Sequence, residues 1–545
     1  MPNTSIIKSV QEVGIQETED LRKEVKNLIG NPLNVWAVAA TIESLGIREI
    51  DSRNEFGFES IFDLAEHIFD DIKEEIREES RSKVRSVAEK LAGSNPVEEF
   101  RLFLKHYVKG LAFLLPMMSQ IAAIFIFRYS LWAWLDFNEA QATVVAFGTI
   151  VAFVVTGGFM QVLGRSVTKH IRAEHYGLAL KSANNIVLIA LACVVGAALF
   201  FGLLNTLIPF YPQAMVHLGL IYMMLISLLL LGSGVLFAFK RRISILVIII
   251  LGTLMVYLNM EVLKMGIYLS HWTALLVTSI MLFGYAYLVL WLQIQKSGKD
   301  FKKYSLPVPE VSYFLNYRYF VYGALYILFL FVDRILAWST GVTAPSYIIW
   351  FNTPYELGMD WAILTLVFSI AVLEYCVHSF SRNILKLQKS AEFCQLQQFN
   401  HYHIYFYFKQ LAIVILVGIL AMVTSYYVVN SLGVFREEIP EIRDFFASPI
   451  TTKVFWMASV SYLFLNIGLL HVLFFFTLNK PSYAMYSILC GLVTNVTVGF
   501  ICSRIIAFEY ATLGLLAGAV AFAVVSGLFA REFFKNLDYY YYSAF

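Results

Sequence analysis

Charged side chains are scarce in this chain of 545 residues. Asp, Glu, Lys and Arg make up only 15% of it, whereas 59% of the residues are hydrophobic and 16% are aromatic. Because soluble domains carry about a quarter charged residues, this composition excludes an ordinary soluble protein. It predicts an all-α polytopic protein that crosses a membrane many times.

Signal peptides, cysteine motifs and nucleotide-binding loops are also missing. The N-terminus lacks the apolar region of a cleaved signal peptide. The five cysteines form no CxxC pair and lie mostly in apolar segments, where a thiol packs as a small hydrophobic group. No Walker motif occurs, so ATP hydrolysis would need another subunit. We expect no metal, no cofactor and no nucleic-acid partner.

Acidic and basic residues are unevenly distributed along the chain. Residues 1–105 contain 21 acidic and 14 basic side chains, and residues 106–545 contain 18 acidic and 27 basic ones. The spacing of apolar residues and the positions of helix-breaking residues predict helices over 16–29, 33–46 and 59–92, with a turn at 51–57. We interpret 1–105 as an acidic, helical, cytoplasmic extension that serves either partner docking or ligand sensing.

Twelve apolar stretches follow, each near the roughly 20 residues that ~30 Å of hydrocarbon requires. Six lie in a first half, 106–294, and six in a second half, 319–545, with a cytoplasmic linker at 295–318. The predicted spans are 110–134, 142–164, 186–207, 214–238, 243–262, 272–293, 319–339, 360–381, 409–430, 454–477, 483–505 and 511–530. Loops on one side of these spans carry 19 Lys and Arg side chains and those on the other side carry 4. The positive-inside rule therefore places both termini in the cytoplasm.

The two halves share a pattern in their basic loops. RSVTKHIR (165–172) follows the second span and RNILKLQK (382–389) follows the eighth, with bases at offsets 0, +4 and +7 in both. This spacing puts three bases on one face of a helix. A repeat of six spans is typical of secondary transporters, whose pathway lies between the halves. Topology fixing and contact with anionic lipid also explain the bases.

Several longer segments resemble those of a known family. The segments are FVDRILAWS (331–339), TPYELGMDWAILTLVFSIAVLEY (353–375), SYLFLNIGLL (461–470) and NLDYYYY (536–542). Through them, residues 107–545 are similar to the PelG-type exopolysaccharide exporters of the multidrug/oligosaccharidyl-lipid/polysaccharide (MOP) flippase superfamily. The acidic extension departs from that family's usual plan.

The resemblance implies transport of an exopolysaccharide or a lipid-linked glycan across the cytoplasmic (inner) membrane. It also implies partners: a cytoplasmic glycosyltransferase and other inner-membrane subunits of a secretion complex, besides the membrane lipids.

Polar groups inside spans are the candidate functional residues, because a charge at the centre of a membrane helix costs about 2.5–3.5 kcal/mol or more. The candidates for a substrate path or gate are Arg128, Asp333, Arg334, Asn466 and Asn495. Asp333 and Arg334 are adjacent and point about 100° apart on a helix, so each should meet another helix. We expect Asp333 to pair with Arg128. An end-of-helix salt network would explain the same charges structurally.

Glu374 and His378 lie one helical turn apart in the eighth predicted span. A carboxylate and an imidazole at this spacing suit a proton relay that couples transport to an ion gradient. A hydrogen-bonded lock between helices is the competing explanation.

Two other functions fit parts of the sequence. One is an ion-coupled efflux pump for small amphipathic molecules on the same fold. The other is a membrane glycosyltransferase that uses lipid-linked sugars, for which Asp136 and Glu139 in the first outer loop are the candidate acids. The remaining outer loops are short, which weighs against the enzyme.

Overall fold

The computed structural model describes residues 18–30, 32, 34–80, 96–297, 309–340, 347–390, 396–435, 448–537 and 540. Four helices precede the membrane region: α1 (Thr18–Ile29), α2 (Val35–Ser44), α3 (Glu49–Asn54) and α4 (Ile61–Ser80). The turn predicted at 51–57 is partly wrong, because Asp51 accepts a hydrogen bond from the backbone N–H of Arg48 at 2.9 Å and stabilises the start of α3. The predicted continuation of α4 to residue 92 lies outside the described residues.

The N-terminal helices bury one apolar face of α4. Leu64, Ile68 and Ile72 are fully buried, as are Val38 and Ile42 of α2. All five belong to one apolar cluster, so this part of the chain has a packed interior.

Twelve helical spans in the described part of the chain are long and apolar enough to cross a membrane, which confirms the predicted all-helical polytopic architecture. The helices of the first half are α5 (Pro96–Phe127), α6 (Glu139–Arg172), α7 (Tyr176–Leu207), α8 (Gln213–Ala238), α9 (Arg242–Tyr257, continued by a π turn at Leu258–Val262) and α10 (Ile267–Ser297). Those of the second half are α11 (Pro309–Trp338), α12 (Thr353–Ile370), α13 (Val372–Ser390), α14 (Leu396–Phe435), α15 (Pro449–Thr477), α16 (Pro481–Ile505) and α17 (Ala511–Lys535).

Several predicted boundaries differ from the observed helix ends. The first span ends at Phe127 and not at 134, because Arg128 has φ +67° and residues 129–134 fold back through a backbone bridge. The eighth span begins at Thr353 and not at 360. Helix α11 begins at Pro309, inside the predicted linker 295–318.

Helices α12 and α13 form one span with a break at Ala371. Helix α5 packs directly against the break, since a Cβ on Gly110 would lie 2.8 Å from the Ala371 Cα. The Tyr107 hydroxyl donates to the Phe368 carbonyl at 3.1 Å. An inserted side chain of this kind explains an interruption that has no Pro or Gly near it in the span.

The buried apolar residues form two clusters, and the cluster of the second half also contains Ile150 of α6. Tyr222 and Leu282 belong to an apolar cluster of the first half, and Phe475 and Phe522 to one centred on the second half. At the contact between α6 and α11, a Cβ on Gly323 would lie 2.7 Å from the Gly157 carbonyl oxygen. The pair Gly157 and Gly158 therefore permits close packing of two spans.

Candidate functional site

The membrane region has two ends that are defined here by their loops. The basic end carries loops 173–175, 239–241 and 478–480, and the chain enters α5 there. The far end carries loops 128–138, 208–212, 347–352 and 506–510.

A charged cluster lies near the far end, between the end of α11 and the start of α12. Asp333 and Arg334 are buried on α11, and Glu356 is buried on α12. Asp360 follows one turn later, with a side chain that is 65% exposed. We call Asp333, Arg334, Glu356 and Asp360 the charge cluster.

Arg334 holds the two acidic residues of α12. Its Nη1 donates to Glu356 and, at 2.9 Å, to Asp360 Oδ1. Trp338 Nε1 donates to the second oxygen of Glu356 at 2.8 Å. Both oxygens of this buried carboxylate are therefore bonded, as burial of a charge requires.

Asp333, next to Arg334 on α11, has different partners. Its Oδ2 accepts from the Tyr355 hydroxyl at 2.8 Å, and that hydroxyl accepts from Thr512 of α17 at 3.2 Å. Asp333 Oδ1 is buried and has no hydrogen-bond partner among the described residues. The Asp333 carboxylate is thus linked through Tyr355 to α12 and α17.

The local sequence explains why an acidic residue starts α12. Asn352 caps the helix through its side chain, which accepts from the Tyr355 backbone N–H at 3.1 Å, and Pro354 lies in the first turn. Glu356 consequently sits in the first turn, where the helix dipole stabilises a negative charge.

The cluster carries more negative than positive groups, and the first half has no equivalent. Three carboxylates surround one guanidinium, so the fully ionised cluster has an excess of negative charge. Among the described residues of the first half, no Asp, Glu, Lys or Arg is buried. The chemistry that this arrangement supports is exchange of a proton or a small cation in the second half.

Glu374 and His378 do not form the predicted relay with each other in the described structure. Glu374 instead pairs with Arg242 of α9 at 3.5 Å, and His378 stacks on His106 of α5 with ring centroids 3.9 Å apart. Arg242 also donates to the Lys109 carbonyl at 2.6 Å. Both residues therefore bridge the two halves near the basic end.

The halves also meet at the far end, through loop 347–352. Trp350 Nε1 donates to Glu139 Oε2 at 2.9 Å, and the Phe351 backbone N–H donates to the Thr143 hydroxyl at 3.0 Å. The Tyr211 hydroxyl bonds the backbone of Ile349. Side-chain contacts thus join the first and second halves at both ends.

The predicted contact between Arg128 and Asp333 is wrong. Arg128 lies beyond the end of α5, in the loop, and its guanidinium pairs with Asp136 at 2.7 Å. Asp333 is completely buried and uses Tyr355. The apolar residues after Arg128 extended the predicted span past the true helix end.

The two predicted amides lie in the interior of the second half. Asn495 of α16 donates to the Phe329 carbonyl of α11 at 3.1 Å and joins these spans. Asn466 of α15 is fully buried, and neither its Nδ2 nor its Oδ1 has a partner among the described residues. Asn466 is therefore a polar group in the second half that is available to water or a ligand.

Four residues of the site were not predicted from the sequence: Tyr355, Glu356, Asp360 and His106. The predicted start of the eighth span at 360 left Tyr355 and Glu356 outside the membrane and Asp360 at its edge. The available signal was the run Asn352–Glu356, which combines a cap, a proline and an acid at a helix start. His106 carries no comparable signal, because only the tertiary fold brings it to His378.

Solved structures match this arrangement over most of the chain. A mutant of the Vibrio cholerae MATE transporter VcmN has 14% identity and a TM-score of 0.56, and the match covers 82% of this chain and 99% of that one. The chain has the MATE fold. A MOP superfamily transporter from Pyrococcus furiosus matches this fold with 11% identity and a TM-score of 0.56, covering 81% of this chain and 96% of the other.

A MATE structure in a bent conformation gives 12% identity, a TM-score of 0.54 and coverage of 81% and 96%. Comparison with protein-family models and with curated proteins gave no match. The likeness in fold thus extends over about four fifths of the chain.

Proposed function

We propose that the chain is a secondary transporter that moves its cargo by alternating access between the two halves. The observation that carries the proposal is the pairing of two halves that touch at both ends through side chains. The contact of His106 with His378 at the basic end can break while that of Thr143 with Phe351 at the far end stays intact, and the reverse. Solved structures with this fold are transporters.

We propose the charge cluster as the coupling site and the basic-end contacts as a gate. Asp333, Glu356 and Asp360 outnumber Arg334, so uptake of a proton or cation lowers the cost of burying the cluster. Glu374 and His378 hold the halves together, a role that differs from the relay expected from sequence. In this proposal the path runs past Asn466 and Asn495.

The proposed cargo is an exopolysaccharide or a lipid-linked glycan, exported through the inner membrane with both termini in the cytoplasm. The support is the resemblance of 331–339, 353–375 and 461–470 to PelG-type exporters. The N-terminal helices add a docking surface: Trp36 and Phe62 are exposed, with ring centroids 4.7 Å apart. We assign that surface to a cytoplasmic glycosyltransferase, with further inner-membrane subunits beside the spans.

The experiment is complementation of a deletion strain, with polymer measured separately outside and inside the cells. Export predicts that the deletion lowers extracellular polymer while synthesis continues or polymer precursors accumulate inside. Unchanged extracellular polymer in the deletion strain would contradict a glycan cargo.

Small-molecule efflux is the second candidate function, favoured by the MATE fold itself. Its test is resistance to cationic dyes in a strain that lacks efflux pumps. Resistance conferred by the intact chain and lost in Asp333→Asn, with unchanged polymer export, would favour efflux over glycan export.

The glycosyltransferase alternative is disfavoured by the positions of Asp136 and Glu139. Asp136 pairs with Arg128, and Glu139 accepts from Trp350, so both acids have structural partners. We expect Asp136→Asn to leave polymer synthesis intact. Loss of synthesis, with normal protein in the membrane, would support the enzyme.

A further inference from the structure

An apolar cavity of about 260 Å³ lies among α6, α7 and α8 near the far end. Its walls include Phe147 and Val151 of α6, Leu204 of α7 and Val216 of α8. Ile348 and Ile349 of loop 347–352 also line it. The cavity is therefore enclosed in part by the first half and in part by a loop of the second half.

The polar side chains around this cavity are already bonded to the protein. The Thr143 hydroxyl donates to the Glu139 carbonyl at 2.6 Å and accepts from Phe351. Asn205 donates to and accepts from the backbone of Tyr211, at 3.0 Å in both cases. The Tyr211 hydroxyl is occupied by Ile349. Because these groups are occupied, the cavity selects a ligand by apolar contact alone.

Helix α7 forms one wall of the cavity and exposes another of its faces. In the most apolar part of α7, only 17% of the residues are buried inside the protein. Its exposed side chains include Leu199, Phe200, Leu203 and Leu207. Leu204, next to exposed Leu203, lines the cavity instead. Lipid chains thus cover one face of the helix whose other face forms the cavity wall.

The size of the cavity fits a hydrocarbon segment. An apolar protein cavity of about 150 Å³ stays dry and accepts benzene, so this larger one accommodates a longer chain. A void of this size left empty would forfeit the dispersion contacts of its lining.

We propose that this cavity is a binding site for a hydrocarbon chain, supplied by a phospholipid acyl chain or by a polyprenyl lipid. The site is complete only while loop 347–352 contacts the first half. Binding of the hydrocarbon chain therefore favours the conformation in which the far end is closed. The proposal holds whichever cargo the protein transports.

The test is photo-crosslinking of the full-length protein in lipid vesicles. One arm uses phosphatidylcholine with a diazirine at the end of its acyl chain, and the other uses a polyprenyl phosphate with the same group in its prenyl chain. Cross-linked peptides are identified by mass spectrometry. We expect labelling of cavity-lining residues in the peptides that contain Leu204 and Val216.

Cavity-filling variants sharpen the test. Leu204→Trp and Val216→Phe fill the space from two different helices and should abolish the labelling. The matched control is Leu203→Trp, which adds the same ring one residue away on the lipid face and should leave cavity labelling unchanged.

Labelling in either arm supports the proposal and identifies the source of the chain by which lipid reacts. Labels spread evenly over the exposed faces of α7, with none on cavity residues, would overturn it. So would cavity labelling that persists in both filling variants. Mapping in the unmodified protein keeps the test valid if a filling variant fails to fold.

Discussion

Arg334 of α11 and Glu356 of α12 form a buried ion pair that joins two spans of the second half. The same guanidinium Nη1 reaches Asp360 at 2.9 Å, so one cation holds two carboxylates one helical turn apart. The start of α12 is therefore fixed against the end of α11 by charge.

Replacement of Arg334 should destabilise the protein strongly. Arg334→Met leaves Glu356 buried without its counterion, and breaking a buried pair by removing one partner costs about 3–5 kcal/mol. Thermal unfolding of the detergent-solubilised protein, followed by tryptophan fluorescence, measures the loss.

The matched control is Arg128→Met. Arg128 pairs with Asp136, but the two side chains are 40% and 37% exposed, and an exposed pair contributes roughly 0–1 kcal/mol. Similar unfolding temperatures of the two variants would show that the buried pair stabilises the fold no more than the exposed pair does.

Asp333→Asn should abolish coupling of transport to an ion gradient without affecting folding. The amide oxygen still accepts from the Tyr355 hydroxyl, so the variant should reach the membrane at a normal level. It cannot exchange a proton, so transport driven by a proton or cation gradient should be lost in reconstituted vesicles. Normal gradient-driven transport in this variant would show that Asp333 is not the coupling residue.

Gly323→Ala should weaken the contact between α6 and α11. The added Cβ would lie 2.7 Å from the Gly157 carbonyl oxygen, and overpacking of this kind costs typically about 1–3 kcal/mol. Gly284→Ala is the control, because a Cβ there meets nothing within 4 Å. The unfolding temperature should fall for Gly323→Ala and stay the same or rise for Gly284→Ala. Equal changes in the two variants would refute the close contact.

The N-terminal helices should lose part of their stability in acid. Hydrogen bonds from the Arg48 side chain and backbone lower the pKa of Asp51. A carboxylate with a lowered folded pKa stabilises the fold above its unfolded pKa of about 3.9 and loses that effect as the pH falls through the folded value. Hydrogen exchange of α3, corrected for intrinsic rates, should show protection that declines below about pH 4.

Asp51→Asn provides the comparison for that measurement. The variant should show lower protection of α3 at pH 7 and a smaller decline in acid. An acid decline of the same size in both proteins would assign the effect to other carboxylates.

Hydropathy was sufficient to predict the twelve spans, because each needs only length and apolar composition. It failed at α5, since the residues from Arg128 to Leu135 are mostly apolar yet fold back as a loop. The break at Ala371 was also beyond prediction, because its cause is a hydroxyl of Tyr107 from a distant helix.

The candidate site was predicted in part. Asp333 and Arg334 are conspicuous in sequence as charges within an apolar run, and the structure places both inside the cluster. Their partners follow from helix packing and not from spacing along the chain. Glu374 and His378 were paired in sequence by their i, i+4 spacing, whereas in the structure each faces a residue of the other half.

Cross-linking of the two halves tests alternating access most directly. In a background with the five native cysteines replaced, Thr143→Cys with Phe351→Cys would tie the far end, and His106→Cys with His378→Cys would tie the basic end. Alternating access predicts that either cross-link stops transport, that reduction restores it, and that the single-cysteine proteins remain active. Undiminished transport by protein cross-linked at either end would contradict the account.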